Sequence, residues 1–378
     1  MSKNVNYDEI EKEMQEKLAG IEKDLDQKVT IAIIGKVSAG KSSLLNALFH
    51  RGKDEKLAEV GATSGITTKV KRFKLGKYVE IMDSPGLGDI IDKNSDETRQ
   101  AMLDIDVGIL VVSDSADITQ KQHYDDLKEH CKKVFVVLNK IDLYDKKKAA
   151  LKSVVAQWRE ALGLSLDETI FQTCTDGYDP DYDADSELDI RGVNELEEAI
   201  LEFLKKYGKD LILAREMERK SVLARRVVFS ALAAVGVEAF VPGSAVYITG
   251  TQAAAIMSIH YIYTGEILNR ATAIAAIPLF ASQSIGSNAF LWAKSILPPT
   301  GILDVAAAGI AVTVTLAMLS TVNWLYENGY NLDDKAEIKS QFQKFYKMLK
   351  DIGIEEILKI IRNRDVNAIK KLIESFIK

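Results

Sequence analysis

The period of apolar positions changes along the chain, and each change predicts a different kind of structure. Between residues 5 and 27, Val5, Ile10, Met14, Leu18, Ile21 and Leu25 recur at helical spacing among Glu and Lys, which predicts an amphipathic helix ahead of the first strand. Such a helix must bury its stripe, and the later helical region is its expected partner. From about 28 to 207, short apolar runs alternate with helical stretches, and strands are predicted over 29–34, 69–75, 79–83, 107–113, 134–139 and 169–173. Three of the runs, IAIIG, VGILVVS and VFVVLN, are continuously apolar, as expected of a sheet covered on both faces. The segment reads as a doubly wound α/β domain. An acidic loop over 176–189 precedes a last helix over 192–206.

After residue 207 the pattern changes again. Residues 208–226 are rich in Arg, Lys and Glu and read as helical, whereas 227–325 are dominated by Ala, Ile, Val, Thr, Ser and Gly. The stretches 239–265, 271–293 and 305–326 each exceed twenty residues without Asp, Glu, Lys or Arg, so length alone makes them membrane-span candidates. Their small residues, and the breaks at Pro242, Pro278, Pro298 and Pro299, favour a folded bundle that touches a membrane peripherally or not at all. The stretch 333–378 is again amphipathic and Lys-rich, with Phe342, Phe345, Leu349, Ile357 and Ile360 on one stripe. The expected organisation is an N-terminal helix over 1–27, an α/β domain over 28–207 and a helical domain over 208–378 that the first helix joins, making it all-α.

Composition narrows the functional classes. Among 378 residues, 47% are hydrophobic and 28% charged, which is globular rather than disordered. A net charge of −6 weighs against a nucleic-acid partner. Cys131 and Cys174 form neither a CxxC pair nor a metal spacing with histidine, and residues 1–28 are too charged for a secretory signal, so a cytoplasmic location is expected.

The strongest chemical signal is Gly35-Lys36-Val37-Ser38-Ala39-Gly40-Lys41-Ser42, followed by Ser43, between a predicted strand and a predicted helix. The pattern GxxxxGK[ST] wraps backbone N–H groups around phosphates at the positive end of a helix. Lys41 can bridge the β- and γ-phosphates, and the Ser42 hydroxyl can ligate Mg²⁺. Asp83-Ser84-Pro85-Gly86 follows the strand 79–83, where the Asp83 carboxylate can hold Mg²⁺ through water and the Gly86 N–H can meet the γ-phosphate. Asn139-Lys140-Ile141-Asp142 selects the base. Asp142 can accept from the N1–H and exocyclic amine of guanine, Asn139 can tie this loop to the phosphate loop, and the Lys140 stem can cover the ring. Thr173-Cys174-Thr175 is placed to offer a backbone N–H to guanine O6. The ligands expected from these residues are GTP and GDP rather than ATP, with Mg²⁺.

Together GKVSAGKSS, SGITTK, DSPGLGD and NKID resemble the translation-factor-related class of P-loop GTPases, in particular its Era-like and dynamin-like branches. The resemblance covers about residues 28–207 and implies a slow, magnesium-dependent GTP hydrolase acting as a switch. It implies that Thr68, with Thr67 the alternative, completes the Mg²⁺ shell and senses the γ-phosphate. The implied catalytic set is Lys41, Thr68, Gly86 and Ser38. Where Ras-like enzymes carry a water-orienting glutamine, this chain has Leu87. These branches often use a monovalent cation such as K⁺ beside the phosphates, completed by a G-domain homodimer. Ser38 stands at the cation-holding position, and Ser64-Gly65 offer carbonyls. Many cation-dependent members carry asparagine there, so K⁺ and a partner-supplied group both stay open. Lys36 is the remaining candidate helper, against the simpler reading of a solvated side chain.

The later segments PGSAVYITGTQAAAIMSIHYIY, YTGEILNR and KSILPPTGILDVAAAGIAVTVTLAMLSTVNWLYENG resemble an uncharacterised helical domain found after Era-like GTPase domains in many bacterial proteins, over about 225–330. The overall plan is also similar to that of the immunity-related GTPases. The alternative function implied is a nucleotide-gated, self-assembling or membrane-associated scaffold of dynamin-like type. Asp181, Asp183 and Asp185 miss the calcium-loop template at Ser186 and Gly192. His50, His123, His130 and His260 show no ligand spacing, and Trp158, Trp292 and Trp324 read as core.

Overall fold

The computed structural model describes residues 7–58, 71–84, 105–179, 186–239, 244–282 and 305–352. The chain opens with α1 (Tyr7–Leu25), then β1 (Val29–Ile34), α2 (Lys41–Leu48), β2 (Lys71–Leu75), β3 (Val79–Ser84) and β4 (Ile105–Val112). It continues through α3 (Ile118–His130), β5 (Cys131–Leu138), a 3₁₀ turn (Ile141–Tyr144), α4 (Lys148–Leu162), β6 (Ile170–Gln172), β7 (Cys174–Asp176) and β8 (Asp189–Arg191). Helices follow: α5 (Val193–Lys205), α6 (Asp210–Met217), α7 (Lys220–Glu238), α8 (Ser244–Thr264), α9 (Arg270–Ser282), α10 (Val305–Glu327) and α11 (Lys335–Ile352). The sequence positions 69–70, 242, 292, 298–299, 357 and 360 and the acidic triplet 181–185 lie outside the described residues.

Among the described residues six strands form one sheet in the order β2-β3-β1-β4-β5-β6, with β2 antiparallel to β3 and the other pairs parallel. The chain passes from β1 to β3 on one side and later to β4 on the other, so the strand order reverses around β1. Ligands bind at such a switch point, outside the carboxyl ends of the strands. All eight residues of β4 are buried, and so are Ile31 through Ile34 of β1. Each fully buried Val, Leu or Ile contributes about 1.5–3 kcal/mol, which explains why these strands read as continuous apolar runs.

Two strands begin earlier than their apolar runs suggest. β4 starts at Ile105 and β5 at Cys131 because Ile105 pairs with Cys131 and Val107 with Lys133. The charges this draws into the sheet are matched: buried Asp106 accepts from Lys132 at 2.6 Å and from Lys209 at 2.9 Å. Lys209 Nζ also donates to the Lys28 carbonyl at 2.7 Å, and Gln27 Nε2 donates to the Tyr207 carbonyl at 3.2 Å. The acidic loop expected over 176–189 is framed by a two-stranded antiparallel ribbon, with Cys174 opposite Arg191 and Asp176 opposite Asp189. The helical reading of 208–226 is broken in two, since Glu218 and Arg219 are extended between α6 and α7.

The chain divides into two compact units, 27–218 and 1–26 with 219–378. Among the described residues, every regular element of the second is a helix. Within it α1 buries Met14, Leu18 and Leu25, and it approaches α8 so closely that a Cβ on Gly250 would stand 2.8 Å from Met14 Cγ. Glu22 accepts from the Arg270 N–H at 2.6 Å. On α10, Thr313, Thr315 and Thr321 are buried and return their hydroxyls to carbonyls four residues back. Gln252 of α8 donates to Thr315, and Tyr263 donates to buried Asn323. Among the described residues one stretch, Gly309–Glu327, is long and apolar enough to cross a membrane, and 83% of its apolar window is buried within the protein.

Candidate nucleotide site

The loop leaving β1 is shaped by two glycines and a left-handed serine. A Cβ at Gly35 would meet the Val111 carbonyl oxygen of β4 at 2.1 Å, so only glycine lets the loop pass that strand. Gly40 has φ +89°, and a Cβ there would lie 2.2 Å from Asn139 Nδ2. Between them Ser38 has φ 65°. Alternating backbone handedness at the N-terminus of α2 aims successive N–H groups into one concavity suited to an anion. Lys36, Val37 and Ser38 are exposed, Ala39, Lys41 and Ser43 are buried, and Ser42 is half-buried.

Lys41 Nζ donates to the carbonyls of Gly35 at 2.8 Å and Lys36 at 3.0 Å, which holds it across the loop. Burial pulls its pKa down, and the Asp83 carboxylate opposes that. Asp83 lies at the carboxyl end of β3, 1% exposed, opposite Ile33 of β1. Asp83 and the Ser42 hydroxyl are hard oxygen donors, which suits Mg²⁺ completed by phosphate oxygens rather than a cage of side chains. Among the described residues no group of three or more His, Cys, Asp or Glu gathers as a metal site. Thr67, Thr68, Ser64, Gly65, Gly86 and Leu87 lie outside the described residues.

Lys36 is exposed but paired, its Nζ 2.5 Å from Asp117. Asp117 also caps α3 by accepting from the Gln120 N–H. Burial alone would push the Asp117 carboxyl up, but the bonds from Lys36 and Gln120 outweigh it and hold the carboxyl low.

The base side is built at the end of β5. Buried Asn139 donates through Nδ2 to Ala39 O at 3.3 Å and Gly40 O at 3.4 Å, and Thr173 Oγ1 donates to Asn139 Oδ1 at 3.0 Å. Lys140 takes a left-handed φ of 62°, and the chain then turns through Ile141–Tyr144. The Ile141 N–H donates to the Thr173 carbonyl at 3.2 Å, which joins this turn to the strand end. Asp142 is half-buried, and the buried Cys174 thiol donates to its Oδ1 at 3.3 Å. Burial pushes that thiol up to about 12, with Asp142 adding to the effect, so Cys174 stays a neutral donor. Sequence reasoning used only the backbone of Cys174 and missed this side-chain contact.

Other contributors carried no motif. Asn46 of α2, fully buried, accepts from the Leu57 and Ala58 N–H groups and donates to the Ala58 carbonyl at 2.8 Å. Tyr178 donates to the Arg51 carbonyl, and Lys56 donates to the Tyr178 carbonyl, both at 2.8 Å. The segment following α2 is thereby fastened to the strand end that carries Cys174. Paired amide and carbonyl geometry of this kind depends on residues far apart in sequence, and only the Asn46 position inside an apolar helix hinted at it.

His50, just after α2, faces Glu197 of α5 at 3.0 Å. The hydrogen bond to Glu197 raises the His50 pKa above 6.5 against the effect of burial, and Glu197 and Glu218 add attraction. Because the folded value exceeds the unfolded one, this stabilisation is complete below 6.5 and is lost as pH rises through the raised folded value. Urea midpoints measured from about pH 5.5 to 8.5 should fall over that window more steeply in the wild type than in His50→Gln. Parallel curves for the two proteins would remove His50 from the pH response.

Residues 30–140 match the family model described as a 50S ribosome-binding GTPase. The fold is that of a P-loop G domain. The GTPase Der of a Nitratiruptor species is 36% identical over 120 residues, 30% of this chain and 25% of that protein. The tRNA modification GTPase MnmE of Alkaliphilus oremlandii is 26% identical over 227 residues, 57% of this chain and 44% of that protein. The chain thus spans less than half the length of these curated relatives. Among solved structures, the bacterial dynamin GTPase LeoA from ETEC aligns with 100% of this chain and 71% of its own, at 16% identity and a TM-score of 0.36. In this G domain the matched segment begins inside β1 and ends at Lys140, so it contains the phosphate loop, Asp83 and Asn139.

Proposed function

We propose that the protein binds GTP and GDP with Mg²⁺ and hydrolyses GTP to GDP and phosphate, and that the bound nucleotide sets the state of the helical domain. The observation that carries this reading is Asn139, whose amide joins the carbonyls of Ala39 and Gly40 to the turn bearing Asp142. A phosphate cradle and a purine-selecting turn are thereby one hydrogen-bonded body. In this reading the N–H groups of residues 35–43 and the Lys41 ammonium hold the β- and γ-phosphates. Asp83, Ser42 and Thr68 would hold Mg²⁺, which would neutralise charge developing on the phosphate oxygens during transfer. Asp142 accepts from guanine, the Lys140 stem covers it, and the backbone at Thr173 and Cys174 meets O6.

Water attacks the γ-phosphorus as the bond to the β–γ bridging oxygen breaks. Leu87 cannot orient that water, so turnover is slow unless K⁺ at Ser38 or a second G domain assists. Gly86 would meet the γ-phosphate and Thr68 would report its loss. The burial of 83% of the apolar window of α10 within the protein favours a packed helical domain over a membrane span.

Phosphate release from Mg²⁺-GTP and Mg²⁺-ATP, measured in Na⁺ and K⁺ buffers over a range of protein concentrations, tests the reading. Slow release from GTP alone, lost in Lys41→Ala, is expected. Absence of GTP turnover under either cation at every concentration would sink the hydrolase assignment.

A further inference from the structure

The base-selecting turn is held from outside by the β7–β8 ribbon. Arg191 of β8 makes a two-pronged contact with Asp145, Nη1 to Oδ1 at 2.9 Å and Nη2 to Oδ2 at 3.1 Å, and Nη2 also reaches Asp189 at 2.9 Å. Asp145 closes the 3₁₀ turn that contains Asp142, its N–H donating to the Asp142 carbonyl at 3.1 Å. Across the ribbon Arg191 pairs with Cys174, whose thiol donates to Asp142. The strand carrying Arg191 is itself fixed: a Cβ on the next residue, Gly192, would stand 2.0 Å from the Gln172 carbonyl oxygen, and Gly192 has φ +71°. The Asp142 turn is therefore tied to this one ribbon at two points, Asp142 and Asp145. One tie runs through the Arg191–Asp145 fork and the other through Cys174.

We propose that Arg191 is a positioning residue for guanine recognition, clamping the turn through Asp145 so that the Asp142 carboxylate presents both oxygens to the base. The proposal rests on the reading of Asp142 as the guanine acceptor. A fork of this kind sets direction as well as attraction, which a lysine ammonium cannot reproduce. Arg191, Asp145 and Asp189 are all substantially exposed, at 39%, 54% and 45%, so the pair adds little to global stability and its effect falls on orientation.

The test compares GTP with inosine triphosphate, which lacks the exocyclic amine that Asp142 reads. Affinities of the full chain for both nucleotides are measured for wild type, Arg191→Ala, Arg191→Lys, Asp145→Ala and the double Ala variant. Wild type should prefer GTP by about 10- to 100-fold. Each single variant should lose about tenfold in GTP affinity and about twofold or less for inosine triphosphate, with unchanged melting temperature. The double variant should be no worse than either single one. A merely structural role would weaken both nucleotides equally and lower the melting temperature, and that result overturns the proposal. So does a GTP-preferring wild type whose preference survives in all the variants. A wild type with no GTP affinity overturns the functional reading and this proposal together. Arg191→Lys keeps the charge and stem, so it reports on the fork even if Arg191→Ala fails to fold.

Discussion

Asp142→Asn should exchange the base the site accepts. The carboxylate beside Cys174 offers two acceptor oxygens, matched to the N1–H and exocyclic amine of guanine. An amide offers one acceptor and one donor, which fits xanthine, whose C2 carbonyl replaces that amine. GTP affinity should fall by about two to three orders of magnitude, about 3–4 kcal/mol, and affinity for xanthosine triphosphate should rise toward the wild-type GTP value. The fold should be untouched, because the side chain is half-buried and its other contact is a neutral thiol. Competition binding with the three triphosphates reads the result. Equal loss for all of them would show that Asp142 holds the loop rather than the base.

Gly40→Ala should be the most damaging single change at the phosphate loop. A methyl group at φ +89° is strained by about 1 kcal/mol in an L-residue, and it would sit 2.2 Å from Asn139 Nδ2. The amide must then leave the carbonyls of Ala39 and Gly40, which uncouples the phosphate loop from the base turn. Unfolding free energy should drop by about 2–4 kcal/mol and nucleotide affinity by at least about 100-fold. Adding Asn139→Ala removes the obstructing amide, so it should recover part of the stability and none of the affinity. Urea unfolding and fluorescent-nucleotide titration of the single and double variants separate the two effects. Full recovery of binding in the double variant would show that Asn139 has no part in joining the loops.

The two loops were legible from sequence because their geometry is written in contiguous residues. Gly35 and Gly40 mark the places where backbone must pass close to a neighbour, and Asn139 ends a continuously apolar run. The central strands were legible for a related reason, since β1 and β4 are buried on both faces. The starts of β4 and β5 were hidden because Asp106, Lys132 and Lys133 look like loop residues until Lys209, 103 positions away, supplies its share of the charge pairing. The β7–β8 ribbon was hidden more deeply. Its strands are three residues each, rich in Asp, and held by a guanidinium that sequence alone reads as surface. The break at Glu218–Arg219 has neither proline nor glycine to announce it.

The clasp at Gln27, Lys28, Tyr207 and Lys209 bears on how the helical domain forms. That domain is assembled from two stretches of chain, 1–26 and 219–378, with the G domain as a guest between them. Joined by a disordered guest, α1 would reach its partners only by closing a loop of about 190 residues, costing roughly 4 kcal/mol more than a tight turn. Once the guest has folded, the hydrogen bond between Lys28 and Lys209 brings its two ends side by side. Folding of the nucleotide-binding unit is therefore expected to lower the entropic cost of bringing α1 to the rest of its domain.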